Sequence, residues 1–410
     1  MLRCGLLGEK LGHSYSPRIH HLLGNYGYEL YEISPQNLNN FFKNPDFDGI
    51  NVTIPYKKAA VSYCKELSRA ALHVGSVNTV VRRADGSLYG DNTDYTGFLY
   101  LLDRSGLTAR GKKCLVLGSG GASLAVTAAL RDRGAEVVVI SRSGSDNYEN
   151  LDRHKDARII VNATPVGMYP NVGKAALDVS RFPELEGVLD LIYNPARTQI
   201  LLDAEKLDLV TGNGLSMLVA QAHRAAELFT GETIDPAKIE TVWQKLRREM
   251  ENVILVGMPG CGKSTVGKAL AERLGREFRD ADQMIADRAG CSIPEIFARE
   301  GEEGFRARET EILGELGKQS GLIIATGGGC VTREENYSLL HQNGTVYFLK
   351  RGLSKLPKEG RPLSQKSSLE TMYEARLPQY RRFADRVIDN DRESPDYAVE
   401  AILRDMEGKA

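Results

Sequence analysis

The chain has 410 residues, of which 42% are hydrophobic and 26% are charged. Its 53 basic and 54 acidic residues leave a formal net charge of −1, which excludes the broad basic field that nucleic acids or anionic membranes attract. A length prior of about 150 residues per domain predicts two or three domains. We expect reduced thiols in a cytoplasmic protein, because the six cysteines are widely spaced and the N-terminus does not read as a signal segment. No apolar run reaches membrane-spanning length, and we expect small molecules as the partners.

Short apolar runs alternate with helical patterns along the whole chain, which is typical of α/β architecture with parallel strands. Two of these runs lead into glycine-rich loops that are followed by helices, at 112–123 and at 252–265. Each is a candidate nucleotide-binding turn, so the sequence predicts two separate nucleotide domains.

An amphipathic helix over 236–250 marks the boundary, because a new buried strand begins almost at once at Val253. The predicted domains are 1–249, made of a lobe over 1–105, a nucleotide lobe over 106–235 and returning C-terminal helices, and 250–410.

Polar residues cluster in the first lobe, which lacks a nucleotide loop. Ser14 and Ser16 precede a predicted helix, a position that on its own is typical of a helix N-cap. Amide, hydroxyl, amine and carboxylate groups follow in the clusters 51–57, 75–79 and 90–94. Such a set suits a small substrate with several hydroxyl groups.

Together with the segments 162–168, 193–195 and 214–221, these clusters resemble the shikimate dehydrogenases over residues 1 to about 245. The resemblance implies a substrate lobe that faces an NADP lobe across a cleft. The substrate contacts that it implies are Ser14, Ser16, Asn51, Thr53, Asn78, Asp94, Tyr193 and Gln221. It also implies that Lys57 and Asp94 form the catalytic pair: Lys57 protonates the alkoxide formed on reduction of 3-dehydroshikimate, and Asp94 orients the amine.

The loop 118–123 departs from the full dinucleotide pattern at its third glycine, but it lies between a strand and a helix as a Rossmann loop should. After the next strand the chain reads Ser141-Arg142-Ser143, which suits a 2′-phosphate and predicts NADP(H). Asp146 lies close enough to weaken that preference. The predicted cofactor contacts are Gly118, Gly120, Gly121, Ala122, Ser141, Arg142, Ser143, Asn162, Thr164, Gly214 and Met217.

The segment 257–264 matches the phosphate-binding P-loop, with a strand before it and a helix after it. In such a loop backbone N–H groups and a lysine bind phosphate oxygens, and the following hydroxyl binds Mg²⁺. The predicted ATP contacts are Gly257, Gly260, Cys261, Gly262, Lys263, Ser264 and Thr265.

The segments that follow, at 278–282, 300–306, 326–329, 361–363 and 376–380, resemble the shikimate kinases across 252–410. The resemblance implies a P-loop fold of the nucleoside-monophosphate-kinase type. Asp282 would bind the shikimate hydroxyls and act as the base, and Asp280 would act near Mg²⁺ together with Ser264. The other implied residues are Arg306 and Arg376 at the shikimate carboxylate, Gly327, Gly328 and Gly329 at the substrate, and Arg361 in a mobile lid.

The two resemblances point to one metabolite, because the product of the first reaction is the substrate of the second. The sequence therefore predicts an α/β protein with a two-lobed dehydrogenase, whose NADP lobe is of the Rossmann type, followed by a P-loop kinase. Two alternatives stay open. One is an NAD-using quinate/shikimate dehydrogenase fused to the kinase, and the other is a chain in which one half is an inert nucleotide-binding scaffold.

Overall fold

The computed structural model describes residues 1–12, 14–356, 369–392 and 394–408. Its backbone separates into two compact units. The first consists of Met1–Met168, Lys174–Tyr193 and Thr198–Leu246, and the second of Tyr169–Gly173, Asn194–Arg197 and Arg247–Ala410. The chain passes from the first unit to the second within helix α8 (Ala237–Met250).

The first sheet has six strands in the order β2-β1-β3-β5-β6-β4. They are β1 (Arg3–Gly8), β2 (Gly27–Glu32), β3 (Gly49–Val52), β4 (Glu66–Leu67), β5 (Thr79–Arg82) and β6 (Leu88–Asp91). β1 runs parallel to both β2 and β3. β5 is antiparallel to β3 and β6, so the expectation of parallel strands does not extend to this part of the sheet. The reason is local: a short turn with Gly86 at φ +81° joins β5 to β6 as a hairpin, which forces antiparallel pairing.

Four helices belong to this lobe, namely α1 (Ser16–Leu23), α2 (Leu38–Lys43), α3 (Arg69–Val74) and α4 (Thr93–Ser105). A later helix, α7 (Leu215–Thr230), returns to pack on β3, β5, α1 and α4. α7 approaches the sheet closely at Gly49, where a Cβ atom would lie 2.1 Å from Cδ1 of Phe229.

The second sheet is entirely parallel, in the order β11-β10-β9-β7-β8. Its strands are β7 (Lys113–Leu117), β8 (Glu136–Ile140), β9 (Ile159–Asn162), β10 (Gly187–Asp190) and β11 (Val210–Gly212). Helices α5 (Gly121–Asp132) and α6 (Gln199–Glu205) connect strands of this sheet. Separate apolar clusters around Val116 and Leu115 cover its two faces, as a parallel sheet requires.

The third sheet lies in the second unit and is also parallel, in the order β13-β14-β12-β15-β16. Its strands are β12 (Asn252–Val256), β13 (Phe278–Asp280), β14 (Ile323–Ala325), β15 (Gly344–Lys350) and β16 (Arg386–Asp389). The helices are α9 (Lys263–Leu274), α10 (Ala281–Ala289), α11 (Ile293–Lys318), α12 (Glu335–His341), α13 (Leu369–Phe383) and α14 (Asp396–Met406). α11 is two helices joined at Gly301, whose φ of 72° only glycine adopts easily.

Among the residues that the structure describes, no helix combines the length and the apolar character that crossing a bilayer demands. All six cysteines are free thiols.

Candidate functional site

Lys57 and Asp94 form an ion pair in the first unit. Lys57 follows β3 and Asp94 lies in the first turn of α4, and the distance from Lys57 Nζ to Asp94 Oδ2 is 2.5 Å. Their side chains are only 17% and 11% exposed. The other carboxylate oxygen, Oδ1, accepts a hydrogen bond of 3.0 Å from Asn78 Nδ2. The carboxylate is therefore fixed by two donors, and it holds an amine that can deliver a proton.

A buried hydrogen-bond network extends from this pair. Asn78 Oδ1 accepts the backbone N–H of Thr93 at 2.7 Å. Asn51 Nδ2 donates to Thr79 Oγ1 at 3.0 Å, and Thr93 Oγ1 donates to Gln221 Oε1 at 3.3 Å. Four predicted substrate contacts thus lie in one network, since Asn51, Asn78, Asp94 and Gln221 all belong to it.

Ser14 and Ser16 lie at the start of α1. The N-cap residue is Tyr15, which makes no side-chain cap bond, and the Ser14 hydroxyl accepts the backbone N–H of Ser16 at 3.2 Å. Tyr15 contacts Tyr193 edge-to-face at 5.9 Å between ring centroids. Burial raises the pKa of Tyr193 above its ordinary value. Thr53 directly follows β3, where its N–H donates to the Leu7 carbonyl at 2.9 Å.

The loop between β7 and α5 has the geometry of a phosphate-binding turn. Gly118 has a φ of 101°, and a Cβ atom there would lie 2.9 Å from the methyl carbon of Thr164. Gly120 is the N-cap of α5, so Gly121 and Ala122 present the N-terminus of a helix, which favours anions. A Cβ on Gly121 would lie 3.8 Å from Lys57 Cδ, so this loop runs beside the ion-paired amine.

The residues predicted to read the 2′-phosphate follow β8 directly. Arg142 and Ser143 are exposed, and the N–H of Ser141 donates to the Asp146 carbonyl at 3.1 Å. The Asp146 carboxylate lies 3.0 Å from Nε2 of His154. The sequence predicts that Asp146 weakens the preference for NADP(H), and in the structure its carboxylate has a histidine neighbour.

Asn162 ends β9 and orders the loop behind it. Its Oδ1 accepts both the N–H of Thr164 at 3.1 Å and the Thr164 hydroxyl at 2.6 Å. Its Nδ2 donates at 3.0 Å to Asp190, a fully buried acid that sequence reasoning missed. Asp190 also accepts from the Thr198 hydroxyl at 2.6 Å and the Ile192 N–H at 3.0 Å. Burial raises its pKa to about 6.

Gly214 and Met217 lie at the start of α7. A Cβ on Gly214 would lie 2.0 Å from the Leu191 carbonyl oxygen. Only glycine therefore lets α7 begin this close to the loop that follows β10. Met217 is 7% exposed and packs in the apolar core, so core packing already accounts for that side chain.

The P-loop of the second unit joins β12 to α9. Its lysine, Lys263, is buried and donates to the Gly257 carbonyl at 2.9 Å and to the Met258 carbonyl at 3.2 Å. The Ser264 hydroxyl donates to Asp280 Oδ2 at 2.6 Å. A hydroxyl and a carboxylate are hard oxygen ligands, which fit Mg²⁺.

A cavity of about 780 Å³ opens above this loop. It brings together the predicted ATP, metal and acceptor residues, so one cavity can hold a phosphate donor and a small acceptor. The predicted residues that line it are Gly260, Gly262, Lys263, Ser264, Thr265, Asp280, Asp282, Arg306, Gly327, Gly328, Gly329 and Arg376. Cys261 lies buried within the loop. Arg361 lies outside the described residues.

Three successive glycines let charged groups pack against the backbone of this cavity. A Cβ on Gly327 would lie 2.7 Å from Asp282 Oδ1, and one on Gly329 would lie 2.0 Å from Arg306 Nη2. The carbonyl of Gly328 accepts a hydrogen bond of 3.1 Å from Arg376 Nη1. A Cβ atom at Gly327 or Gly329 would therefore displace the charged group beside it.

Glu309 is a further residue of this site that sequence reasoning missed. It is fully buried and accepts a hydrogen bond of 2.6 Å from Arg306 Nη1. Burial raises the pKa of Glu309, and the Arg306 charge opposes that rise. The sequence spacing could have indicated this pair, because Arg306 and Glu309 are three residues apart and such residues are neighbours on one helix face.

Comparisons with known proteins match two different families to different parts of the chain. The family model for the shikimate dehydrogenase substrate binding domain matches residues 6–80, and the model for shikimate kinase matches residues 259–407. The chain is 34% identical over 265 residues to the shikimate dehydrogenase (NADP(+)) of Clostridium perfringens, covering 59% of this chain and 97% of that protein.

The second part resembles another curated protein. It is 44% identical over 165 residues to the shikimate kinase of Burkholderia thailandensis, covering 38% of this chain and 90% of that protein. Among solved structures, the shikimate 5-dehydrogenase of Thermus thermophilus in complex with NADP(H) and shikimate is 36% identical. It matches 60% of this chain and 99% of its own, with a TM-score of 0.54.

Proposed function

The chain belongs to the shikimate dehydrogenase family in its first part and to the shikimate kinase family in its second, and we propose how its residues perform both reactions. It is a bifunctional enzyme of the shikimate pathway, an oxidoreductase and a phosphotransferase on one polypeptide. In the first reaction 3-dehydroshikimate is reduced to shikimate, and in the second the shikimate is phosphorylated.

Lys57 is the proton donor of the reduction. NADPH, when bound, supplies the hydride, and reduction of the 3-keto group leaves an alkoxide oxygen that needs a proton. The Lys57 amine donates that proton and its charge stabilises the oxygen as the charge develops. The observation that supports this role is the 2.5 Å contact with Asp94, because it holds the amine in one place. Asn51, Asn78 and Gln221 then bind the hydroxyl groups around the ring.

NADP(H) is the dinucleotide of this reaction. The relatives of the first part are named as NADP(+) enzymes, and the exposed Arg142 beside Ser141 and Ser143 suits a 2′-phosphate. We assign Arg142 to that phosphate.

Asp282 is the base of the phosphorylation, and it accepts the proton of the shikimate hydroxyl that attacks ATP. Arg306 and Arg376 bind the shikimate carboxylate, a role that suits the planar guanidinium group. Lys263 contacts the phosphates, and Ser264 and Asp280 hold Mg²⁺, which neutralises phosphate charge when bound. The cavity that contains all these residues supports the assignment.

The partners of the protein are its small-molecule substrates. We place the protein in the cytoplasm, an assignment that the six free cysteines support because thiols persist in a reducing compartment.

A coupled assay tests the two activities together. The purified chain is given 3-dehydroshikimate, NADPH and MgATP, and we expect shikimate 3-phosphate together with NADPH oxidation and ADP formation. Omitting ATP should stop the reaction at shikimate. Reduction of 3-dehydroshikimate with NADH at a similar rate, together with oxidation of quinate by NAD⁺, would instead favour the NAD-using alternative, and the absence of one activity would favour the scaffold alternative.

Lys57→Met tests the proposed role of Lys57 as proton donor, independently of the family to which the chain belongs. Loss of a proton donor that also stabilises charge should lower dehydrogenase turnover by about 10²- to 10⁴-fold. NADPH binding and kinase activity should stay unchanged, and NADPH binding reports the concentration of folded dehydrogenase. Near-normal reduction by this variant would remove Lys57 from the mechanism.

A further inference from the structure

The hydrogen bonds around Asp94 have a fixed direction. The Asp94 carboxylate only accepts, so Asn78 must face it with its Nδ2 group and turn its Oδ1 towards the N–H of Thr93. The Thr79 hydroxyl lies 3.2 Å from two acceptors, Asn78 Oδ1 and Thr93 Oγ1, and it can donate its single proton to either of them. Thr79 Oγ1 is left as an acceptor for Asn51.

This direction fixes the orientation of the Asn51 side-chain amide. Its Nδ2 donates to Thr79 Oγ1 at 3.0 Å, so its Oδ1 must point the other way. There it accepts the hydroxyl proton of Tyr28 at 2.8 Å. One N–H of the amide remains, and it is a donor suited to a hydroxyl or carboxylate oxygen of a substrate.

Tyr28 reaches Asn51 across an intervening strand. Tyr28 on β2 is opposite Cys4 of β1, and Asn51 on β3 is opposite Leu6 of the same strand. Cys4 and Leu6 are two residues apart and share a face of the sheet, so Tyr28 and Asn51 share it as well.

Aromatic packing holds the tyrosine in this position. Its ring stacks on His20 of α1 with centroids 4.0 Å apart and planes 11° apart. His20 is fully buried, and its Nδ1 lies 2.6 Å from the Tyr26 hydroxyl. Burial lowers the pKa of His20 to about 3 and raises that of Tyr28 well above 10. Both side chains therefore keep their neutral forms, and the Tyr28 hydroxyl remains a donor.

We propose that Tyr28 is a positioning residue of the dehydrogenase, which holds the Asn51 amide with an N–H directed at the substrate. The inference rests on the proposed substrate site that contains Asn51. Nothing in the reaction itself requires Tyr28, so its effect should fall on substrate binding and not on proton transfer.

Tyr28→Phe tests this role because it removes one hydroxyl and keeps the ring stack. We expect the KM for shikimate to rise about five- to tenfold, the effect of one lost hydrogen bond. The kcat should stay within about twofold, and the KM for NADP⁺ and the kinase activity should not change. Tyr31→Phe is the matched control, since Tyr31 is opposite Leu7 and so lies on the other face of the sheet. It should leave the KM unchanged.

A double-mutant cycle shows whether Tyr28 acts through Asn51. Asn51→Ala alone should raise the KM, and adding Tyr28→Phe to it should have no further effect. Thr79→Val removes the other partner of Asn51 and one hydrogen bond to Asn78, so it should raise the KM and also lower kcat, unlike Tyr28→Phe.

Three outcomes would overturn the inference. An equal effect of Tyr28→Phe with and without Asn51 would show that the tyrosine acts on the structure in general. If Asn51→Ala raises the KM as expected but Tyr28→Phe leaves it unchanged, the inference about Tyr28 fails and the proposed substrate site stands. An unaffected Asn51→Ala enzyme would remove Asn51 from the substrate site, and the proposed site would fail with it.

Discussion

Arg142 is the single charged residue that we assign to the choice of dinucleotide. Arg142→Ala should weaken NADPH binding by about 10- to 150-fold, because a charged hydrogen bond contributes about 1.5–3 kcal/mol. NADH binding should change little, since NADH lacks the 2′-phosphate. Dissociation constants for both dinucleotides measure the effect, and Arg131→Ala at the far end of α5 is the control. Equal losses for both dinucleotides would show that Arg142 has only a structural role.

Asp190 makes the stability of the first unit depend on pH. Its pKa rises from 3.8 to about 6 on folding, because burial favours the neutral acid. Its stabilising contribution to the free energy of unfolding is therefore fully present below pH ~4 and is lost as the pH rises through about 6. The total change is roughly 3 kcal/mol. Asp190→Asn removes the titration, so the decline in stability between pH 4 and 7 should become shallower by that amount.

The one tryptophan of the chain, Trp243, belongs to the first unit and reports its unfolding in urea at each pH. If the plots of unfolding free energy against pH for the wild type and Asp190→Asn are parallel, Asp190 has the same pKa in the folded and unfolded states. In Asp190→Asn the amide Oδ1 can keep the hydrogen bonds from Asn162 Nδ2 and the Ile192 N–H, while the new Nδ2 group faces the Thr198 hydroxyl, which can accept instead of donate.

At the scale of elements, the turn at 327–329 brings its backbone against Asp282, Arg306 and Arg376, which we propose bind shikimate. Gly329→Ala places a methyl group 2.0 Å from Arg306 Nη2, so the guanidinium must move. We expect the KM for shikimate to rise about 10- to 150-fold, as for a lost charged hydrogen bond, while ATP binding is retained. Gly314→Ala is the control, because a Cβ there meets its nearest neighbour at 3.8 Å. An unchanged KM for Gly329→Ala would contradict a role of Arg306 at the carboxylate.

Elements with a local pattern could be predicted from the sequence. The strand, glycine loop and helix around Gly118 and around Gly262 lie where the sequence predicted them, and the comparisons confirm the predicted fold class and both activities. Contacts between distant segments carry no such pattern. The hydrogen bond from Tyr28 to Asn51 spans an intervening strand, and no sequence spacing indicates it. In the sequence nothing distinguishes Asp190 from any other acid at the end of a strand, so its burial could not be predicted.

At the scale of the whole molecule, the domain boundary predicted near residue 250 stays a prediction. Separate chains of residues 1–249 and 250–410 should each fold, because each exceeds the size at which a domain buries too little surface. We expect the kcat/KM of each to stay within about threefold of the intact chain, a barrier change of about 0.7 kcal/mol. The segments 169–173 and 194–197 group with the second unit, so the stability of the 1–249 chain is the more sensitive measurement.

The intact chain should show the lag of a pathway whose intermediate is free in solution, and added shikimate should dilute a label that passes through it. Aggregation of either separate chain, or a coupled reaction without a lag that excludes external shikimate, would contradict the independence of the two parts.

The two units are stretches of one covalent chain, so each copy of the dehydrogenase is synthesised with one copy of the kinase. Gene dosage, translation and degradation change both enzyme concentrations together and leave their ratio at one to one. At a fixed concentration of 3-dehydroshikimate, with both sites below saturation, the steady-state level of shikimate then depends on the ratio of two catalytic efficiencies and not on protein abundance. Under these conditions, selection for a different level must act on the catalytic efficiencies, for example through the proposed substrate contacts Asn51 and Arg376, because a change in expression leaves that level where it was.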